Sequence, residues 1–178
     1  MAIRFGTSGW RAIIADDFTF DNVRRVSDAI SSYLTTRTDL ERTLVVGHDS
    51  RFMGERFSEI AADIFAAKGF RVLLCGGPTP TPTIAHAIRS QKAAGGINFT
   101  ASHNPPEYQG IKFSTEDGAP ALPEVTGTIE AGIEAITLSP MLGDFNDDLT
   151  ARGLDALAAQ IRVQIAPEDV SRFMAPTA

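Results

Sequence analysis

Three short apolar runs alternate with helix-forming stretches within the first 100 residues of this chain. The runs cover residues 43–47, 70–75 and 95–99. Runs of this length that are apolar at nearly every position are typical of strands buried on both faces of a sheet. Alternation of strands with helices produces parallel strands that are covered by helices on both sides. The pattern therefore predicts an α/β fold, a three-layer α/β/α sandwich with a mixed, mostly parallel sheet.

Capping residues and helical periodicity predict where the helices lie. Thr19 is expected to cap a first helix. The apolar stripe of that helix consists of Val23, Val26, Ile30, Tyr33 and Leu34. A second helix is expected to end at residues 68–69, where glycine follows lysine, and a fourth is predicted over residues 122–136. The third is expected to begin with Thr81 as its cap and Pro82 at its first helical position.

The connection between the strand predicted at 95–99 and the next one at 110–114 indicates a mixed sheet. It is short and contains no crossover helix, so the two strands are expected to be antiparallel if they pair. A turn is predicted to follow at residues 116–118. Near the N-terminus, residues 3–5 are predicted to form a short strand that leads into a glycine-bracketed loop.

Composition and charge restrict the classes of function. The formal net charge is −6 and lysine and arginine do not cluster, which argues against nucleic-acid binding. Cys75 is the only cysteine, so an intrachain disulfide is excluded and a reducing compartment is favoured. No apolar run is long enough to span a membrane, and the N-terminus shows no signal-peptide pattern. We therefore expect a cytoplasmic protein with no membrane partner.

The chain is expected to contain one complete domain. Its 178 residues are enough for one well-formed core, which we place at residues 1–138. From about residue 139 the composition shifts to Pro, Gly, Asp and Asn, as in a linker. An amphipathic pattern follows, with too little chain after it to complete a second core. Residues 139–178 are thus predicted to be a linker and the partial start of a second domain.

The segment after the predicted strand at 95–99 carries Ser102, His103 and Lys112, at the place where α/β folds present reactive groups. A serine hydroxyl reacts poorly until a base removes its proton or a phosphate replaces it. His103 is adjacent, but neighbouring side chains in an extended loop point to opposite sides, and no Gly-x-Ser-x-Gly elbow is present. From the residues alone, a capped turn is the commoner structure for such a sequence, and Lys112 could equally be an exposed strand lysine.

Four motifs occur in an order that resembles a known enzyme family. They are residues 6–11 (GTSGWR), 47–51 (GHDSR), 79–82 (TPTP) and 100–106 (TASHNPP), the last followed by GIK at 110–112. Together they resemble the N-terminal α/β/α domain of the α-D-phosphohexomutases, the phosphoglucomutase/phosphomannomutase family. The resemblance covers roughly residues 3–136 and corresponds to domain I, the first of about four domains in the family.

The resemblance implies roles for several residues of these motifs. Ser102 matches a phosphoserine that gives its phosphoryl group to a sugar phosphate by way of a bisphosphorylated sugar. Lys112 would be the acid/base, with His103 in support, because a proton must leave and return to the reacting hydroxyl. Arg11 would lie close to the phosphate. The residues expected to bind substrate or phosphate beside it are Thr7, Ser8 and Asn104.

The same resemblance identifies supporting residues and two departures from the family pattern. Asp49 and Arg51 match a Gly-x-Asp-x-Arg motif, and they could form a buried pair that organises the cleft or a loop ion pair of little weight. We favour a supporting role next to the reacting groups. Ser8 stands where family members often have aspartate. Gln109 replaces the common asparagine before the glycine, so the turn before Lys112 could have a different shape.

Cofactors and partners are implied as well. The family uses Mg²⁺, and the phosphate on Ser102 would be one of its ligands. In the family an Asp-x-Asp-x-Asp loop of the second domain supplies the remaining ligands, and no such loop occurs in this sequence. Hexose phosphates would be the substrates and a hexose bisphosphate the activator. The missing C-terminal mutase domains, in cis or in trans, would be the partners.

The implied function is that of the phosphoserine-bearing domain of a phosphohexomutase, and the isolated chain is expected to have little or no mutase turnover. The alternative is a non-catalytic domain that binds sugar phosphates or docks with partner domains, as a truncated or split gene product would. A serine hydrolase is a distant third, which reaction of Ser102 with a fluorophosphonate probe would support. The sequence does not distinguish glucose, mannose, glucosamine and ribose phosphates.

Overall fold

The computed structural model describes residues 3–6 and 9–134. Its strands are β1 (Gly9–Ile13), β2 (Thr43–His48), β3 (Arg71–Leu74), β4 (Gly95–Phe99) and β5 (Tyr108–Thr115). They form one five-stranded sheet in the order β1-β5-β4-β2-β3. β2 pairs in parallel with β3 and β4, whereas β5 is antiparallel to both β4 and β1. β5 therefore runs against the other strands, which confirms the predicted mixed, mostly parallel sheet.

The helices of the described residues are α1 (Phe20–Thr36), α2 (Gly54–Ala67), α3 (Thr81–Ser90) and α4 (Pro123–Glu134). α1, α2 and α4 lie on one side of the sheet, where the main hydrophobic core is. α3 packs on β2 and β4 from the other side. The three layers confirm the predicted α/β fold. Among the described helices, α3 makes its main sheet contacts with β2 and β4 rather than with β5 or β1.

Alternation along β4 and β5 assigns each residue to one side of the sheet. Phe99 pairs with Ile111, and both are fully buried in the main core. The residue before Phe99 is Asn98, and its partner across the strands is Lys112. Because successive side chains point to opposite faces, Asn98 and Lys112 face the α3 side.

Local sequence signals place several boundaries as predicted. The Thr19 hydroxyl accepts a hydrogen bond from the Asn22 amide at 3.2 Å and so caps α1. Gly69 follows the end of α2 with a φ of 82°, a conformation that favours glycine. The turn after β5 is closed by the amide of Gly118, which donates to the Thr115 carbonyl at 2.8 Å.

The first strand lies later in the chain than predicted. Residues 3–5 form no strand, and β1 begins at Gly9. The amide of Gly6 donates to the carbonyl of Gly9 at 2.8 Å, so these two glycines come together just before the strand. Trp10 is in β1 and stacks on Phe18 with ring centroids 4.7 Å apart. This aromatic contact anchors β1 to the core and places the motif's arginine in the sheet rather than in a loop.

Two further local predictions are wrong. The strand at 70–75 exists as β3, but Arg71 and Leu74 are exposed because β3 lies at the edge of the sheet. Thr81 does not cap α3. Pro80 occupies the cap position, and the Thr81 hydroxyl instead accepts a hydrogen bond from the side-chain amide of Asn98 at 2.8 Å.

The predicted linker and partial second domain at 139–178 lie outside the described residues, so the domain boundary stays a prediction. The fourth predicted helix is confirmed as α4 within the described residues. Over residues 3–6 and 9–134, none of the helices has both the length and the apolar character that crossing a bilayer requires.

Candidate active site

Ser102 is exposed on the loop at residues 100–107, which joins β4 to β5 and is called the serine loop below. Its φ of 57° is left-handed, a conformation that costs a residue with a Cβ about 1–2 kcal/mol. The Ser102 amide donates to the Thr100 hydroxyl at 3.0 Å, and the Asn104 amide donates to the Ala101 carbonyl at 3.1 Å. A strained turn held by local bonds thus presents this serine to solvent, as is common for residues of functional sites.

Arg51 holds the serine loop by its main chain. The guanidinium donates to the carbonyl oxygens of Ser102 (3.0 Å), Asn104 (2.6 Å), Pro105 (2.8 Å) and Tyr108 (3.1 Å). The Arg51 side chain is only 16% exposed. Because all four bonds go to backbone oxygens, Arg51 fixes the path of the loop and leaves the serine hydroxyl out of the contact.

The Asp49 carboxylate holds both the main chain and the side chain of Arg51 in place. Its Oδ1 accepts from the Arg51 amide at 2.9 Å, and its Oδ2 lies 3.4 Å from Arg51 Nε. The Asp49 amide donates to the Phe99 carbonyl at 3.0 Å, which ties the pair to the end of β4. This geometry matches a pair that organises the loop rather than an isolated surface ion pair. Its contribution to catalysis stays a prediction.

Arg11 and Lys112 lie on the α3 side of β1 and β5. The register pairs Gly9 with Lys112 and Arg11 with Gly110, so the two cations are diagonal neighbours and each stands opposite a glycine. A Cβ at position 110 would lie 2.9 Å from Arg11 Cγ, so the arginine stem occupies the space that a side chain there would need. The surface around Arg11 and Lys112 has glycine at the two paired positions and carries two positive charges. Such a surface suits a phosphate group.

The serine loop begins beside this two-cation surface. The amide of Thr100 donates to the carbonyl of Gly110 at 2.9 Å, and Gly110 lies opposite Arg11. Ser102 follows Thr100 by two residues. The structure therefore places the start of the serine loop, Arg11 and Lys112 at neighbouring positions of the sheet, and their roles stay predictions.

The remaining predicted site residues are less constrained. His103 is exposed and Asn104 is half-buried on the serine loop. Thr7 and Ser8 lie outside the described residues, so their roles stay predictions. The roles of His103 and Asn104 in binding or proton transfer also stay predictions.

The pKa of Lys112 lies below the usual range of a lysine. Burial is the larger cause, because it penalises the charged ammonium, and the positive charge of Arg11 lowers the pKa further. A lysine with a lowered pKa has more free amine near neutral pH and can take a proton from a hydroxyl group. The electrostatics therefore support the acid/base role that the resemblance implies for Lys112.

Replacing Arg11 with glutamine is expected to raise the pKa of Lys112 towards its usual value, because the repulsion disappears while burial remains. The pKa can be measured by NMR titration of lysine side chains labelled at ¹³Cε. The matched control is Arg24→Gln, which removes an exposed arginine that pairs with Asp21 at 2.8 Å on α1. A Lys112 pKa in Arg11→Gln equal to that of the control would show that the Arg11 charge does not act on Lys112.

Mg²⁺ is the metal that the resemblance implies for this site. Within them, no three His, Cys, Asp or Glu side chains are grouped as metal ligands, and the Asp49 carboxylate is engaged by Arg51. Mg²⁺ prefers several oxygen ligands, usually carboxylates together with phosphate oxygens. A phosphate on Ser102 would supply one such ligand.

Comparison with known protein families decides where the chain belongs. The family described as phosphoglucomutase/phosphomannomutase, alpha/beta/alpha domain I, matches residues 2–139. The chain belongs to the phosphoglucomutase/phosphomannomutase family. The matched region includes every motif of the site, from residues 6–11 to 110–112. The resemblance found in the sequence is therefore confirmed.

Relatives from this family are longer than the chain. A phosphoglucomutase of Staphylococcus saprophyticus is 33% identical over 152 residues, which cover 81% of this chain and 27% of that protein. A phosphoglucosamine mutase of Cupriavidus taiwanensis is 37% identical over 161 residues, which cover 88% and 35%. A solved structure from Thermus thermophilus, assigned as a phosphomannomutase, is similar with a TM-score of 0.72 and 43% identity, over 75% of this chain and 30% of that one. The chain thus spans between about a quarter and a third of the length of these mutases.

Two buried polar residues of the site were missed in the sequence. The Thr100 hydroxyl accepts a hydrogen bond from the Ser102 amide, and Asn98 is paired with Lys112 on the neighbouring strand. A single amide inside the otherwise apolar run at 95–99 is a signal that could have identified Asn98, since buried polar groups need partners.

Gln109, the departure noted before the glycine, lies within β5 rather than in a turn. Its side-chain oxygen accepts from the Gly110 amide at 3.1 Å, and its NH₂ group donates to the Phe52 carbonyl at 3.3 Å. The fully buried side chain thus connects β5 to the segment that carries Arg51.

Proposed function

We propose that this chain is the phosphoserine-bearing domain of a phosphohexomutase of the phosphoglucomutase/phosphomannomutase type, in which Ser102 exchanges a phosphoryl group with a sugar phosphate. The observation that carries the proposal is an exposed Ser102, on a loop fixed by Arg51, at the end of the sheet that presents Arg11 and Lys112. Membership of a family of carbohydrate metabolism supplies the substrate class.

The first transfer begins with phosphorylated Ser102 and a hexose phosphate. Lys112, as the free amine, takes the proton of a sugar hydroxyl while that oxygen attacks the phosphorus. The new P–O bond to the sugar forms as the P–O bond to Ser102 Oγ breaks, and the serine oxygen then takes up the proton that Lys112 carries. The bisphosphorylated sugar turns round, and its other phosphoryl group returns to Ser102 by the same steps in reverse.

Positive charge is the main requirement of this transfer. A seryl phosphate carries close to two negative charges, and the transferred group stays highly charged throughout. Arg11 is exposed on the same face as Lys112, and its guanidinium can give two parallel hydrogen bonds to phosphate oxygens. We assign His103 and Asn104 to support of the phosphate and sugar on the loop itself.

Members of the family typically use Mg²⁺, which neutralises part of the phosphate charge when bound. No three carboxylate, imidazole or thiol groups are gathered as metal ligands in the part of the chain that the structure describes, and we assign the other ligands of the ion to the parts of a full-length mutase that this chain does not span. The same parts would recognise the sugar and act in cis or in trans. A hexose bisphosphate would serve as the activator that loads Ser102.

Incubation of the purified chain with glucose 1,6-bisphosphate and Mg²⁺ is expected to add one phosphate group, detected by intact-protein mass spectrometry. The increment should vanish in Ser102→Ala, because that oxygen is the acceptor. Conversion of glucose 1-phosphate to glucose 6-phosphate is expected to stay at background, since sugar recognition and the remaining metal ligands lie elsewhere. An unchanged mass would contradict the proposed function, and sustained turnover would contradict the need for further domains.

The alternative is a non-catalytic domain that binds sugar phosphates or docks with partner domains. Calorimetric binding of a hexose bisphosphate without any phosphate on Ser102 would support this alternative. A cytoplasmic location, expected from the sequence, stays a prediction for both.

A further inference from the structure

Asn98 is a buried amide whose oxygen has no hydrogen-bond partner among the described residues. The residue is 3% exposed in β4. Its Nδ2 donates to Thr81 Oγ1 at 2.8 Å, which fixes the amide against the first residue of α3. Leaving a buried acceptor unsatisfied is destabilising, so a donor is expected to reach Oδ1.

The sheet register identifies the donor. Asn98 is paired with Gly47 on β2 and with Lys112 on β5, all facing the α3 side. Gly47 has no side chain, and the space of its missing Cβ is taken by Ile84, whose Cδ1 would lie 2.6 Å away. Directly paired residues have Cβ atoms about 5 Å apart, within reach of a long side chain. The Lys112 ammonium is therefore the donor that the paired positions offer to Asn98.

We propose that Asn98 is a positioning residue for Lys112, whose ammonium group donates a hydrogen bond to the Asn98 side-chain oxygen. The inference rests on the proposed function, because the position of this ammonium matters only if Lys112 carries the proton of the transfer. The bond directs the Lys112 side chain along the face of β5 that lies on the α3 side. It also stabilises the ammonium form, in opposition to burial and to Arg11.

The charged groups around Lys112 make an amide suitable for this task. On β1 the diagonal neighbour is Arg11, and on β4 the paired residue is the uncharged Asn98. α3 carries His86 and Arg89 on this side of the sheet, and both are exposed. No carboxylate occupies a position paired with Lys112. A neutral acceptor holds the ammonium more weakly than a carboxylate would, so the amine can still form.

The test is the pKa of Lys112 in Asn98 variants of the full chain, measured by NMR with ¹³Cε-labelled lysine. The chain has three lysines, and Lys112→Arg identifies the Lys112 signal by its loss. Asn98→Val removes the acceptor at similar volume and is expected to lower the pKa of Lys112 by about one unit. Asn98→Asp retains the shape, can accept a hydrogen bond from the Thr81 hydroxyl, and is expected to raise the pKa by about one unit or more.

A Lys112 pKa that is the same in folded Asn98→Val as in the unmodified chain would overturn the inference, since a purely structural amide would not affect it. If Asn98→Val does not fold, a crystal structure of the unmodified chain decides. Lys112 Nζ within hydrogen-bond distance of Asn98 Oδ1 supports the inference, and a water molecule on Oδ1 with Lys112 turned away overturns it.

Ser27→Ala is the matched control. Ser27 carries the other buried side-chain atom without a partner among the described residues, on α1 at the far side of the sheet. Its replacement should leave the pKa of Lys112 unchanged.

The mass-spectrometric assay separates a failure of this inference from a failure of the proposed function. Phosphate uptake by Ser102 together with a pKa of Lys112 that is insensitive to Asn98→Val refutes the role of Asn98 alone. A lowered pKa in Asn98→Val without phosphate uptake by the unmodified chain supports the contact and refutes the proposed function.

Discussion

Replacing Arg51 with methionine is expected to slow phosphate uptake by Ser102 about 100-fold or more, because a misplacement of about 1 Å at a reacting atom costs on that order in rate. Methionine fills much of the same space but donates no hydrogen bond. The carbonyls of Ser102, Asn104, Pro105 and Tyr108 then lose their common donor. The loop would no longer hold Ser102 in a fixed position relative to Lys112.

The same substitution is expected to lower the free energy of unfolding by about 2–4 kcal/mol, since a hydrogen bond to a charged group contributes about 1.5–3 kcal/mol. The loss is smaller than the sum of four such bonds, because several loop residues are exposed and water can replace part of the contact. Asp49 also loses the cation beside its carboxylate.

The measurements are the rate of the phosphate mass increment, urea denaturation, and amide hydrogen exchange over residues 101–108. Arg56→Met is the control: this arginine is 61% exposed and pairs with Glu59 at 2.7 Å on the surface of α2, a kind of pair that contributes little. Arg51→Lys should give an intermediate result, because an ammonium lacks the planar fork that reaches several carbonyls. Normal uptake and normal exchange in Arg51→Met would contradict the role of Arg51 in holding the loop.

Much of the fold could be predicted from local sequence patterns. The apolar run at 95–99 coincides with β4, and the Thr19 cap and Gly69 mark helix ends as predicted. The antiparallel return into β5 followed from the absence of room for a crossover helix. These features depend on residues close in sequence, which is why the pattern alone sufficed.

The positions of the strands in the sheet could not be predicted from local sequence patterns. The run at 70–75 looks like a strand buried on both faces, yet β3 lies at the edge. β1 was misplaced because its position is set by antiparallel pairing with β5, which lies far along the chain. Both features depend on pairing between distant segments, and local composition does not specify it.

The candidate site likewise contains residues that the sequence indicated and contacts that only the fold reveals. The motif order pointed to Ser102, Arg11 and Lys112, but it did not show how Arg51 acts. Its partners are backbone carbonyls, which every residue possesses, so the loop sequence carries no record of the contact. The pairing of Asn98 with Lys112 likewise appears only when the register of β4 and β5 is known.

Gly110→Ala is expected to lower the free energy of unfolding by about 3 kcal/mol, the upper part of the usual range for overpacking. A Cβ at this position would lie 2.6 Å from the Thr100 carbonyl oxygen and 2.9 Å from that of Trp10. Both are backbone atoms in segments that flank β5, so no rotation of a side chain removes the clash. Either the base of the serine loop or β1 must move away from β5.

A movement of β1 would also change the electrostatics of the site, because β1 carries Arg11. As Arg11 withdraws, its repulsion of the Lys112 ammonium weakens, so the pKa of Lys112 should rise while phosphate uptake and stability fall together. Gly76→Ala is the control, since a Cβ there meets nothing within 4 Å. Urea denaturation and lysine NMR measure both effects. Gly110→Ala and Gly76→Ala could instead give the same free energy of unfolding and the same pKa of Lys112. In that case the close contact at Gly110 would not set the distance between β1 and β5, and the position of Arg11 would have another cause.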